Sequence, residues 1–158
     1  MDTMNSVVGN KAIEVDLIVE GDKKIQISDY LGKNIVLYFY PKDDTPGCTV
    51  EANDFKFYTN EFQNLNAVII GISKDSLESH AKFKKKYDLP FILASDSEGK
   101  TCDSYGVWVE KSMYGKKYFG INRSTFLIDT HGKIRRIWDK VSVKGHVEEV
   151  LEELKKIN

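Results

Sequence analysis

The residues that could do chemistry in this chain begin with its thiols, Cys48 and Cys102, the only cysteines among 158 residues. Cys48 has the more telling setting. It follows Thr45-Pro46-Gly47, and threonine with proline directly after it is a strong helix start. Threonine suits the position before the first turn, and proline in that turn forgoes no helical hydrogen bond. Cys48 is therefore expected in the first turn of a helix, where free backbone N–H groups and the positive end of the helix dipole stabilise a thiolate. A thiolate is both a nucleophile and a reductant. The competing reading of a lone cysteine is a buried, inert space-filler. A loop holding Pro41, Asp43, Asp44 and Pro46, at the exit of an apolar strand, is a costly place for that role and favours chemistry. Such a site at the carboxyl end of a central strand is also where open α/β sheets bind their ligands. Cys102, in the run Lys100-Thr101-Cys102-Asp103-Ser104-Tyr105, reads instead as a small apolar residue packed one turn before Tyr105.

Other chemistries are disfavoured by what is missing. Two cysteines exclude a secreted disulfide scaffold, and together with three dispersed histidines, His80, His131 and His146, they make a structural zinc site unexpected. No metal or other cofactor is expected. The 23 lysines and arginines nearly balance 24 acids, for a formal charge of −1, so composition directs the chain toward neither nucleic acid nor an anionic membrane. The basic run of Lys82, Lys84, Lys85 and Lys86 reads as a solvated helix face. The stretch 115–120 (GKKYFG) lacks the spacing of a phosphate loop and reads as a turn, while Trp108, Tyr114, Tyr118 and Phe119 read most simply as cover for the sheet, with the mouth of a substrate site or a surface for a partner as the open alternatives. The N-terminus has no signal-peptide pattern, and the longest apolar run, 35–40, is too short to span a membrane. The expectation is a soluble, cytoplasmic protein.

The elements that must position Cys48 follow from periodicity. Ile13, Val15 and Leu17 alternate with acids before a Gly21-Asp22 turn, and Ile25 and Ile27 resume the alternation, which predicts an N-terminal hairpin. Residues 34–40 (NIVLYFY) and 67–72 (AVIIGI) are continuous apolar runs, the pattern of central strands covered on both faces. Between them Ala52, Phe55, Tyr58 and Phe62 recur at helical spacing. Asp75 and Glu78 suggest a capping box for a second helix with Leu77, Ala81, Lys84 and Tyr87 on one stripe, stopped by Pro90. A short strand at 91–94, a brief helix at 99–105, a hairpin of 124–129 with 134–138 and a final amphipathic helix through Val147, Val150, Leu151 and Leu154 complete the chain. No linker or repeat divides it, so residues 1–158 are expected to form a single domain of α/β class with a mixed sheet.

These residues resemble a known family. Pro41-x-x-x-Thr45-x-x-Cys48 is similar to the active-site motif of the peroxiredoxins, and YFYPKDDTPGCTVEAN resembles their Q-type, or bacterioferritin-comigratory-protein, branch. The likeness continues through YGVW at 105–108, YGKKYFGINRSTFLID at 114–129 and VKGHVEEVL at 143–151. It implies a thioredoxin-like fold and a thiol-dependent peroxidase that reduces hydrogen peroxide and organic hydroperoxides without metal or haem. Position by position, it implies that Cys48 is the nucleophile and that the Thr45 hydroxyl contacts thiolate and substrate. It further implies that Pro41 shields the thiolate, Arg123 stands beside it and Glu51 holds Arg123. Without the resemblance, Arg123 reads as a solvated charge at the start of a strand and Glu51 as an acid suited to a first helical turn.

The chain departs from the branch at one point. Many Q-type relatives carry a second, resolving cysteine five positions after the first, where this chain has Asn53, and the 77–87 helix, another place for that partner, has none either. Cys102 is the internal candidate that remains. Its packing role is favoured, which points to a one-cysteine cycle in which an external thiol (thioredoxin, glutaredoxin or a small thiol) reduces the Cys48 sulfenic acid. The alternative is a peroxide sensor or redox-signalling protein, oxidised once at Cys48 and read by a partner. The resemblance further suggests a monomer or weak dimer.

Overall fold

The computed structural model describes residues 6–158, so part of the N-terminal stretch that shows no signal-peptide pattern lies outside the described residues. The N-terminal hairpin pairs β1 (Asp16–Val19) with β2 (Lys23–Gln26) antiparallel, joined by a 3-10 turn at Glu20–Asp22. It starts later than the alternation from Ile13 suggests. The apolar runs become β3 (Asn34–Phe39) and β4 (Ala67–Ser73), parallel neighbours near the middle of the sheet. With β5 (Ile92–Ser95), β8 (Ser124–Ile128) and β9 (Ile134–Trp138), the order is β2-β1-β5-β4-β3-β8-β9. Parallel pairing in β5-β4-β3 and antiparallel pairing at both flanks make the sheet mixed, as expected.

Alternation along β3 sorts the core into two faces, because successive side chains of a strand point to opposite sides. Val36, Tyr38 and Tyr40 join one cluster with Cys48, Phe55, Phe62, Val150 and Leu154, under α1 (Pro46–Phe57), α2 (Thr59–Asn64) and α5 (His146–Ile157). Ile35, Leu37 and Phe39 join the other, with Cys102, Tyr105 and Phe126, beside α4 (Lys100–Ser104). The thiols therefore lie on opposite faces of the sheet.

Three expectations are corrected. The helix after Cys48 breaks at Tyr58, leaving Tyr58 half-buried between α1 and α2. In α3 (Leu77–Tyr87) the N-cap is Ser76, whose hydroxyl accepts from the Ser79 N–H, and the fully buried side chains are His80 and Phe83 rather than the Leu77–Ala81 stripe. Asp75 is free for another use because Ser76 supplies the cap. Residues 115–120 are mostly strand, since β6 (Trp108–Met113) and β7 (Lys116–Ile121) form a separate hairpin. Its turn is Tyr114-Gly115, with φ of 52° and 79°, the paired positive angles of a tight hairpin turn. Glu110, Lys111, Lys116 and Lys117 mask the alternation in the sequence. Of the hairpin's aromatic residues, Trp108 is half-buried against the core cluster that holds Cys102, as cover for the sheet, whereas Tyr114, Tyr118 and Phe119 stand exposed, Tyr114 at 98%.

Candidate active site

β3 ends at Phe39, and the chain crosses a loop, 41–45, to Thr45, whose extended backbone (φ −93°, ψ 157°) precedes α1. The Thr45 hydroxyl does not cap the helix; it donates to the Lys42 carbonyl at 2.8 Å. The first helical bond runs from the Thr49 N–H to the Thr45 carbonyl at 2.8 Å, so the Cys48 N–H precedes the ladder at the helix's positive end. Cys48 itself is buried.

Arg123 reaches this turn because Phe39 pairs with Ser124, which sets the start of β8 beside the end of β3. Its Nη2 donates toward Cys48 Sγ at 3.5 Å while Nη1 donates to Glu51 Oε1 at 2.6 Å. Glu51 lies one turn past Cys48 on α1 and is fully buried. Burial pushes its carboxyl up to about 7, although Arg123 pulls in the other direction. Among the described residues its second oxygen, Oε2, has no hydrogen-bond partner, and neither does the buried hydroxyl of Tyr38. Pro41 stands exposed at the start of the loop. Cys48, Arg123 and Glu51 thus converge, and Thr45 and Pro41 flank them along the chain.

Most of the chain is similar to known proteins. The model of the AhpC/TSA family matches residues 8–137. Peroxiredoxin Bcp of Bacillus subtilis is 51% identical over 152 residues, covering 96% of this chain and 97% of that protein. The chain belongs to the AhpC/TSA family. Within it, the likeness is to the Bcp, or peroxiredoxin Q, branch. The bacterioferritin comigratory protein of Xanthomonas campestris, studied for alkyl peroxide reduction activity, superposes with a TM-score of 0.86 at 42% identity, over 90% of each chain. A cysteine-to-serine mutant of PrxQ from Xylella fastidiosa gives a TM-score of 0.90 at 40% identity, over 95% of this chain and 96% of that one. The thioredoxin-like fold expected of a peroxiredoxin is therefore the one observed.

Two residues of this peroxiredoxin's site escaped the sequence. Lys111, half-buried on β6, stands close enough to feel both Arg123 and Cys48, and burial together with Arg123 holds its ammonium below the usual lysine range. Gly47 matters for its lack of a side chain: a Cβ there would sit 3.1 Å from Arg123 Nη2. Its signal was a glycine in a first helical turn, where almost any other residue is a better helix former. Gly47→Ala is expected to leave the melting temperature unchanged or higher, yet to lower kcat/KM for hydroperoxide by about tenfold as the guanidinium is displaced. Peroxide-consumption kinetics alongside a thermal melt check this, and an unchanged kcat/KM would count against a tight fit of Arg123.

Cys102 has a different environment. It is fully buried on α4, its backbone N–H donates to Asp96 Oδ2 at 2.8 Å, and burial with the Asp96 carboxylate drives its thiol well above the usual range. A thiol so held is a poor nucleophile.

Proposed function

We propose that this thiol-dependent peroxidase reduces hydrogen peroxide and organic hydroperoxides through Cys48 and is regenerated by an external thiol. The Cys48 thiolate attacks one oxygen of the hydroperoxide and the O–O bond breaks. Sulfur is oxidised by two electrons to a sulfenic acid, and the other oxygen leaves as alkoxide or hydroxide to be protonated to alcohol or water. Arg123 offers a permanent cation to the thiolate and to the charge developing on the leaving oxygen. Thr45 has committed its proton to the Lys42 carbonyl, so its oxygen is left to accept from the hydroperoxide O–H. Glu51 holds Arg123, and Pro41 bounds the mouth of the loop. The observation that carries this reading is the single guanidinium that spans Glu51 and the Cys48 sulfur.

The one-cysteine cycle has its own support. A disulfide needs Cα atoms within about 7 Å, whereas the β-sheet separates Cys48 from Cys102. The second sulfur then comes from thioredoxin, glutaredoxin or a small thiol, in a reducing compartment such as the cytoplasm. A single domain acting as monomer or weak dimer suffices for this cycle.

Treatment of the reduced protein with one equivalent of peroxide, followed by peptide mass analysis, tests the cycle. A dimedone adduct at Cys48 that persists in Cys102→Ser is expected. A Cys48–Cys102 disulfide would overturn the one-cysteine version. Sustained peroxide consumption with a thiol reductant is expected, and a single stoichiometric oxidation would instead mark a sensor.

A further inference from the structure

The loop that leads into Cys48 is fastened to a helix that takes no part in the chemistry described above. Asp43 is buried in that loop, and its carboxylate gathers several donors. Oδ1 accepts from the Tyr40 hydroxyl at 2.6 Å, and Oδ2 accepts from the Ser79 hydroxyl at 2.8 Å and meets His80 Nδ1 at 2.7 Å. The Asp43 N–H donates to Asp75 Oδ2 at 2.8 Å, an oxygen that also accepts from the Ser73 hydroxyl at 2.7 Å. On the far side of the His80 ring, Nε2 faces the Ala94 carbonyl at 2.9 Å.

The proton count in this network is informative. A carbonyl oxygen can only accept, so His80 Nε2 carries a hydrogen. The opposite nitrogen meets a carboxylate oxygen, so the contact holds a second proton between Nδ1 and Oδ2. Asp43 and His80 are therefore a proton-sharing pair, with only 4% of each side chain exposed. Burying such a pair costs more than packing apolar residues in its place, so fold stability alone does not account for it. Asp44 adds to the attachment. Its backbone is in the left-handed region (φ 58°), and its carboxylate accepts from Lys86 Nζ at 2.7 Å and from the Tyr87 hydroxyl at 2.8 Å, both on α3. Thr45 follows immediately.

We propose that Asp43 and His80 are positioning residues of the peroxidase reaction: their shared proton fixes the 41–45 loop against α3 so that the Thr45 oxygen faces the incoming hydroperoxide. The proposal rests on Cys48 being the nucleophile. It assigns a role to a buried histidine on a helix whose sequence reads as a lysine-rich solvated face.

Paired amide substitutions test it, because each keeps one of the two ring contacts. His80→Asn places an amide nitrogen where Nδ1 stands and keeps a donor to Asp43. His80→Gln reaches the Nε2 position, keeps the Ala94 contact and loses the donor to Asp43. Positioning predicts that His80→Gln lowers kcat/KM for hydroperoxide by about tenfold or more and that His80→Asn stays within about threefold of the parent. Their melting temperatures are expected to match, and iodoacetamide is expected to alkylate Cys48 at the parental rate in both. Equal losses in the two variants, or a full rate in His80→Gln, would overturn the proposal. If His80→Gln fails to fold, Asp43→Asn decides the matter: it keeps the shape and removes the shared charge, so a similar loss is expected and a full rate refutes positioning. A Cys48→Ser arm in the same assay separates the two claims, since activity retained there overturns the nucleophile assignment itself.

Discussion

Cys48→Ser is expected to reduce peroxide consumption to the uncatalysed background, a loss of at least about 10⁴-fold. The size of the effect follows from two failures at once. A serine hydroxyl does not ionise near neutral pH even at a helix N-terminus, so the nucleophile is lost. Oxygen also cannot take the place of sulfur as electron donor, because the reaction stores its oxidising equivalents as a sulfenic acid. The fold should survive, since serine is nearly the size of cysteine and the cluster that holds Cys48 is built on larger contacts such as the stacked rings of Tyr38 and Phe55. Peroxide consumption with excess thiol reductant, measured beside a thermal melt, is the check. Activity comparable with the parent would mean that the reaction does not use Cys48.

Arg123→Met is expected to lower kcat/KM by about 10²- to 10³-fold, the usual cost of losing a preorganised donor to developing charge. Methionine retains much of the apolar stem but offers the sulfur and the leaving oxygen no cation. The same substitution has a consequence for stability whose sign depends on pH. Glu51 has a carboxyl raised from 4.5 to about 7 in the folded protein. A raised acid stabilises the fold fully below its unfolded value, and that contribution is lost as pH rises through the folded value. For Glu51 the loss amounts to about 3 kcal/mol between the two limits. Without Arg123 nothing opposes the burial effect, so the folded value moves higher and the loss extends to more alkaline pH. Denaturant unfolding is therefore expected to show little difference between Arg123→Met and the parent near pH 5, and a marked deficit for the variant near pH 9. An equal deficit at both would mean that Glu51 is not held by Arg123.

The site was legible in the sequence wherever it depended on neighbours along the chain. Thr45, Pro46 and Cys48 specify a helix start within one turn, and the helix begins at Pro46. Arg123 was not legible from its own surroundings. It lies 75 residues from Cys48, and only the pairing of Phe39 with Ser124 turns a strand-end arginine into the partner of a thiolate. His80 was obscured by composition. It sits among lysines on α3, and its burial depends on Asp43 and Ala94, contributed by a loop and by β5. The β6–β7 hairpin was missed because its alternation is interrupted by charges, which an isolated two-stranded ribbon can leave in water on both faces.

By itself, the sequence determined that a thiol stands at the start of a helix after a central strand, and that the residue five positions later is Asn53 rather than a second cysteine. Those are local properties, set by capping, dihedral preference and residue identity. The tertiary structure decided which cation meets the sulfur and which face of the sheet each cysteine occupies. The alternation of β3 and the order of seven strands put Cys48 and Cys102 on opposite sides. Strand order and register arise from contacts distant along the chain, so no local pattern around Cys102 could reveal that a sheet lies between the two thiols.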